Sequence, residues 1–99
     1  MIKLINETEY EIVKSWWIKR GFPIIPLEFL PSRRYIAYKD ETPLFAGFLY
    51  IDDECKFSFL TLWIANPDVQ HHERSVGFDE LVEHASNVAK EMGVRQVNT

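Results

Sequence analysis

The stretch KFSFLTLWIANPDVQHHERSVGFDELVEHASNVAKEMG, from Lys56 to Gly93, decides the fold of this 99-residue chain. Its first part is a nearly continuous apolar run from Leu60 to Ala65, which favours a strand buried on both faces of a sheet. The NPD tripeptide that follows breaks the strand. The last part has apolar residues at three- and four-residue spacing, which predicts an amphipathic helix. Gly93 then ends this helix, because glycine adopts the left-handed conformation without a side-chain penalty.

Five further elements are predicted around this strand and helix. They are a strand at Ile2–Ile5, a helix from a Thr8–Glu11 capping box to Gly21, strands at Arg34–Lys39 and Leu44–Ile51, and a last strand at Val94–Asn98. The order is β-α-β-β-β-α-β, so the predicted fold is α/β, with a mixed and mainly antiparallel sheet flanked by helices. Gly47 inside an apolar strand predicts a β-bulge or a close backbone approach.

The segment FPIIPLEFLP, from Phe22 to Pro31, contains three prolines and therefore favours neither a long helix nor a central strand. It is apolar for a connection, so it either packs on the core or lines a pocket. The adjacent Trp16 and Trp17 are interpreted as core aromatics of the first helix rather than as a cofactor stack.

Composition excludes several classes of function. A net charge of −4 argues against nucleic-acid binding, which normally needs clustered basic residues. No apolar run approaches the roughly 20 residues that a membrane helix requires. A single cysteine, Cys55, excludes an internal disulfide and favours the cytoplasm. His71 and His72 are adjacent and point in different directions, so they make a poor metal pair and no metal site is predicted.

A candidate anion site precedes the apolar part of the second helix. Arg74 supplies a fork of donors for phosphate oxygens, and Gly77 permits a close backbone approach. The amino end of a helix also offers unpaired amides and partial positive charge. The spacing is that of the first part of an Arg-x-x-Gly-x-Gly/Ala pyrophosphate loop, with Asp79 at the last position, where a carboxylate competes with an anion. Alternatively, the helix begins near His71, and Gly77 lies inside it and packs on the sheet.

Short matches spread over nearly the whole chain point to a known family. They are Trp16-Trp17, Gly21-Phe22-Pro23, Glu28 to Pro31, Pro43 to Tyr50, Trp63 to Asp68, Glu73-Arg74 and Ala89 to Gly93. On these residues and on the order of elements, the chain resembles the GNAT superfamily of acyl-CoA-dependent N-acyltransferases. Within it, the chain more closely resembles a phage and bacterial subgroup of GNAT-like proteins.

The resemblance implies an acyl-CoA-binding protein that transfers an acetyl group from acetyl-CoA to an amine. Backbone groups of Trp63, Ile64 and Ala65 are expected to hold the pantetheine arm. The pyrophosphate is expected to meet the loop formed by Arg74, Ser75, Val76, Gly77, Phe78 and Asp79. The alternative function is a non-catalytic structural or interaction module derived from the amino-terminal part of the same fold, with a protein partner.

The chain ends at Thr99, whereas the family continues with a further helix and two strands that normally carry an acid tyrosine. Residues 1–99 are therefore expected to form one truncated GNAT-like domain, and no catalytic residue is assigned. An uncovered last strand also predicts a homodimer, because open strand edges are usually paired or covered. Its interface is expected to include residues after Gly93.

Overall fold

The predicted order of elements is confirmed by a computed structural model, which describes residues 1–52, 57–93 and 96–98. The elements are β1 (Ile2–Leu4), α1 (Glu7–Arg20), a 3₁₀ turn (Leu27–Phe29), β2 (Arg34–Lys39), β3 (Thr42–Asp52), β4 (Phe57–Ala65), α2 (His71–Glu91) and β5 (Gln96–Asn98). Cys55 and the predicted start of the last strand at Val94 lie outside the described residues.

The five strands form one sheet in the order β1-β2-β3-β4-β5. The first four strands run antiparallel to their neighbours, and β5 runs parallel to β4. Successive residues of a strand point to opposite faces, so each central strand contributes to two cores. The mixed and mainly antiparallel sheet predicted from the sequence is therefore confirmed.

The two helices cover opposite faces of this sheet. On one face, Trp16 and Trp17 of α1 pack with Ile36, Phe48 and other buried residues. On the other face, α2 buries a stripe against β2 and β3, and the core residues there are Tyr35, Ala37, Leu49, Leu81 and Ala85. The interpretation of the tryptophan pair as core aromatics is confirmed, since each ring is only 4% exposed.

Both helices end at a glycine, as predicted. Gly21 and Gly93 have φ angles of 72° and 77°, in the left-handed region that favours glycine. The predicted start of α1 is wrong by two residues, because the capping contact is made by Asn6, whose backbone N–H donates to Glu9 Oε1 at 2.9 Å. The Thr-x-x-Glu pattern lies inside the helix instead.

The proline-rich segment after α1 both packs on the core and leaves apolar surface. Leu30 is buried, and Ile25 and Leu27 pack against the core between α1 and the sheet. By contrast, Phe22 is 51% exposed and Phe29 is 72% exposed. Phe22, Pro23 and Ile25 also line a cavity, so the segment both packs on the core and lines a pocket. In the part of the chain that the structure describes, no helix is long and apolar enough to cross a membrane.

Candidate functional site

The candidate site lies along the second half of β4, beyond the residues that pair with β5. Strand β5 is paired with β4 only from Phe57 to Phe59, at the beginning of the longer strand. Among the described residues, no strand pairs with residues 60–65 on that side. The second half of β4 therefore presents backbone groups at an open edge, and an extended ligand can hydrogen-bond there as a strand does.

A β-bulge marks the same half of β4. Ala46 is in register with Ile64, whereas Phe48 is in register with Thr61, so two residues of β4 stand opposite Gly47. Such an extra residue bends the bulged strand and increases its twist. A bulge therefore occurs at Gly47, as predicted, but its extra residue belongs to β4 rather than to the strand that contains the glycine.

The turn after β4 fixes which backbone groups face outward. The N–H of Asn66 donates to Leu44 O at 2.9 Å, so this residue faces β3. Because the direction alternates along a strand, the backbone of Ile64 also faces β3 and that of Ala65 faces the open edge. The Asn66 side chain holds the turn in place: its Nδ2 donates to Pro43 O at 2.8 Å, and its Oδ1 accepts from the N–H of Asp68 at 2.9 Å.

The expectation of a loop from Arg74 to Asp79 is wrong, because α2 already begins at His71. The alternative in which the helix begins near His71 is confirmed. The first hydrogen bond from an amide of the helix to a carbonyl four residues earlier joins Arg74 N–H to Gln70 O at 3.1 Å. The amides of residues 71–73 precede it and lack a helical acceptor, and Gln70 makes no side-chain capping bond.

Most of the predicted phosphate residues meet at one cleft beside this helix end. The cleft has a volume of about 270 Å³ and is lined by Phe45, His71, Arg74, Ser75, Phe78 and Asp79. Arg74 is oriented by its own loop, since its Nε donates to Val69 O at 3.0 Å. Two predicted residues are not brought to this cleft. Val76 lines a separate depression with Glu80, and Gly77 is buried on the face of α2 that packs against β3.

Gly77 is a packing residue of α2. A Cβ atom at this position would lie 2.9 Å from Leu44 Cβ and 3.2 Å from Phe45 Cβ. Carbon atoms pack favourably at about 3.5–4.0 Å, so no side chain fits between the helix and β3 here. The glycine thus lets α2 approach the sheet closely, which positions the amino end of the helix beside β4.

An aromatic cluster joins the cleft to the open edge. The ring of Trp63 lies 4.7 Å from that of Phe78 and 6.0 Å from that of Phe45, measured between ring centroids. Phe45 and Phe78 also pack edge to face at 5.5 Å. The two groups of residues predicted for pantetheine and for phosphate are therefore physically connected through Trp63 and Phe78.

Sequence reasoning did not identify Arg20 as a residue of this region. Arg20 belongs to the basic last turn of α1, where cations interact favourably with the helix dipole. In the structure, its Nε donates to Ala65 O at 3.2 Å, so a second guanidinium lies at the open end of β4. Lys19 beside it pairs with Asp68 at 2.8 Å, in the turn that follows the strand. No local pattern in the sequence indicates this contact across 45 residues.

Solved structures similar to this chain include known acetyltransferases. The ribosomal-protein-S18-alanine N-acetyltransferase from Escherichia coli superposes with a TM-score of 0.71 at 16% identity, covering 95% of this chain and 61% of that protein. TTHA1254 from Thermus thermophilus gives a TM-score of 0.71 at 15% identity, covering 98% of this chain and 72% of that protein.

A third similar structure is N-acetylglutamate synthase from Neisseria gonorrhoeae, complexed with coenzyme A and N-acetyl-glutamate. Its TM-score is 0.61 at 11% identity, and the match covers 89% of this chain and 23% of that protein. The chain matches no protein-family model and no curated protein sequence. The likeness in structure shows the fold: this chain has the fold of the GNAT acetyltransferases. The narrower resemblance to a phage and bacterial subgroup stays a prediction.

Proposed function

We propose that this protein binds acyl-coenzyme A at the open end of β4 and acts as an N-acetyltransferase that transfers an acetyl group to an amine. The observation that carries the proposal is that β5 leaves the second half of β4 unpaired among the described residues. The amide of Ala65 faces this opening, whereas its carbonyl accepts from Arg20 Nε at 3.2 Å. A pantetheine arm carries carbonyl groups that can accept from such an edge amide.

The phosphates of the ligand would meet a positively polarised environment at the amino end of α2, which follows β4 in the chain. The amides of residues 71–73, which have no acceptor among the described residues, and the positive end of the α2 dipole favour an anion. Arg74 adds a permanent cation at the same cleft, and Arg20 adds another at the carbonyl of Ala65. Asp79 lines the cleft as well and opposes an anion, and the guanidinium of Arg74 offsets this carboxylate.

The chemistry that acetyl-CoA supplies is a thioester carbonyl open to attack by a neutral amine. The amine nitrogen forms a bond to this carbon and loses a proton, the carbon–sulfur bond breaks, and the departing thiolate takes up a proton, so the products are an amide and free CoA. In this proposal the chain holds and orients the thioester along β4, which lowers the entropic cost of bringing the two reactants together. No side chain among the described residues is assigned as the proton donor.

Titration calorimetry with acetyl-CoA tests the proposal. We expect binding in the wild-type protein, and a loss of about 1–3 kcal/mol, roughly 5- to 150-fold in affinity, in Arg74→Ala. Lys90→Ala is the matched control, because it removes a cation from the last turn of the same helix and should leave affinity unchanged. Absence of binding at millimolar ligand rejects the proposal. Equal affinity in both variants places the phosphates elsewhere.

A second candidate function is a non-catalytic interaction module with a protein partner. The observation that favours it is the exposure of Ile24 and Phe29, which are 43% and 72% exposed in the segment after α1. Exposed apolar side chains in one segment are typical of interaction surfaces. This candidate predicts no heat of binding with acetyl-CoA in the same titration, so a saturable isotherm rejects it as the principal function.

A further inference from the structure

A second cavity, of about 410 Å³, lies between α1 and the end of β4. It is lined by Trp17, Phe22, Pro23, Ile25 and Trp63. None of these side chains carries a charge, and three of them are aromatic. Small-molecule sites in proteins have volumes of about 300–1,000 Å³ and are mostly apolar, so the size and lining match such a site.

The walls of this cavity are held by contacts within the protein. Trp17 is buried, and its ring packs on Phe48 at 6.2 Å and on Tyr10 at 6.3 Å. The facing segment is fixed at two points. The N–H of Phe22 donates to Trp17 O at 2.9 Å, and Tyr10 Oη donates to Ile25 O at 2.8 Å. The cavity is therefore preorganised, which reduces the entropy lost when a ligand binds.

The cavity adjoins the proposed acyl-CoA edge. Trp63 forms one wall and lies two residues before Ala65, whose backbone faces the opening. On the opposite wall, Trp17 lies one helical turn before Arg20, which donates to the Ala65 carbonyl. A group attached close to the reacting carbonyl can therefore enter the cavity from the open edge of β4.

We propose that this cavity binds an apolar alkyl or aromatic group of the substrate, attached within a few atoms of the thioester carbonyl. The proposal rests on the function proposed above and specifies its substrate class. An acetyl methyl group leaves most of the 410 Å³ unfilled. A charged substituent is disfavoured, because burial among uncharged walls removes its hydration without supplying a partner.

The apolar group has two sources, the acyl chain of the donor or the side chain of the acceptor amine. One arm of the test titrates free CoA, acetyl-CoA, butanoyl-CoA and hexanoyl-CoA by calorimetry. The other arm titrates butylamine, hexylamine and 1,6-diaminohexane into the protein, with and without free CoA. Tryptophan fluorescence reports this second arm directly, because Trp17 and Trp63 line the cavity.

The matched variants are Phe22→Ala and Phe29→Ala. Both residues belong to the same exposed segment, at 51% and 72% exposure, so neither substitution threatens folding. Only Phe22 lines the cavity. In whichever arm carries the apolar group, the CoA thioesters or the amines, we expect affinity to rise about fourfold for each added methylene group. This rise should be the same in the wild type and in Phe29→Ala. Phe22→Ala should lose most of this rise, and the diamine should bind more weakly than hexylamine.

The outcomes separate this inference from the proposed function. Affinity that is independent of chain length in both arms overturns the inference, even where CoA binds well. A rise with chain length that is equal in the two variants also overturns it, because the apolar group then lies elsewhere. Failure of every CoA compound to bind rejects the proposed function, and the amine titration without CoA then decides alone whether the cavity takes an apolar group.

Discussion

Replacement of Gly77 by alanine tests whether this glycine serves helix packing, as the structure indicates. The added Cβ would lie 2.9 Å from Leu44 Cβ and 3.2 Å from Phe45 Cβ. Both distances are shorter than the roughly 3.5–4.0 Å at which carbon atoms attract each other. Because both neighbouring atoms are attached directly to the backbone of β3, no rotamer change removes the contact. Helix α2 must move away from the sheet.

The magnitude follows from two opposing terms. Overpacking of a core costs about 1–3 kcal/mol, and two contacts with immobile atoms place this case near 3 kcal/mol. Alanine in a helix is favoured over glycine by about 1 kcal/mol. We therefore expect a net loss of about 2 kcal/mol in the free energy of unfolding. For a domain of this size, such a loss lowers the melting temperature by about 8–16 °C.

Urea and thermal unfolding followed by circular dichroism measure this loss. Asn87→Ala is the control, because Asn87 is exposed on the same helix and should gain a few tenths of a kcal/mol from helix propensity. If Gly77→Ala is as stable as the wild type or more stable, helix propensity dominates. The close approach of α2 to β3 is then not the reason for a glycine at this position.

Three further predictions concern stability, pH and assembly. Asn66→Ala should lower the free energy of unfolding in urea by about 1–3 kcal/mol, because it leaves the carbonyl of Pro43 without its 2.8 Å donor. Burial raises the pKa of Tyr35 above its ordinary value of 10.0, against the opposing charge of Arg33, so the unfolded state loses its proton first. Stability should therefore fall as the pH rises from about 10 through the raised pKa, and less steeply in Tyr35→Phe. We also propose a homodimer that pairs through the outer strand β5, so light scattering at micromolar concentration should give twice the 11.7 kDa chain mass. A monomer with fast amide exchange in β5 contradicts this.

The fold could be predicted from the sequence because its signals are local. The apolar run of β4, the alternation in Arg34–Lys39, and the glycines at positions 21 and 93 each reflect a conformational or burial preference of a few neighbouring residues. The boundaries depended on competing local signals. Both Asn6–Glu9 and Thr8–Glu11 have the spacing of a capping box, and spacing alone does not decide which pair is used.

The candidate site was harder to predict, because its parts meet through tertiary contacts. The start of α2 at His71 moves Arg74 from a loop into the first turn of a helix, and the Arg-x-x-Gly spacing is compatible with both structures. The contact between Arg20 and Ala65 joins two elements far apart in the chain. The cavity between Trp17 and Trp63 likewise depends on how α1 lies across the sheet, which periodicity does not specify.

Chemical shift mapping of backbone amides during a titration with free CoA tests the central claim most directly. The claim is that CoA binds along the open end of β4 and at the amino end of α2. We predict that the largest shift changes occur at Ala65 and within residues 71–74, while amides of β1, at the opposite edge of the sheet, remain unchanged. Absence of saturable changes, or changes confined to residues distant from β4 and α2, would contradict the account.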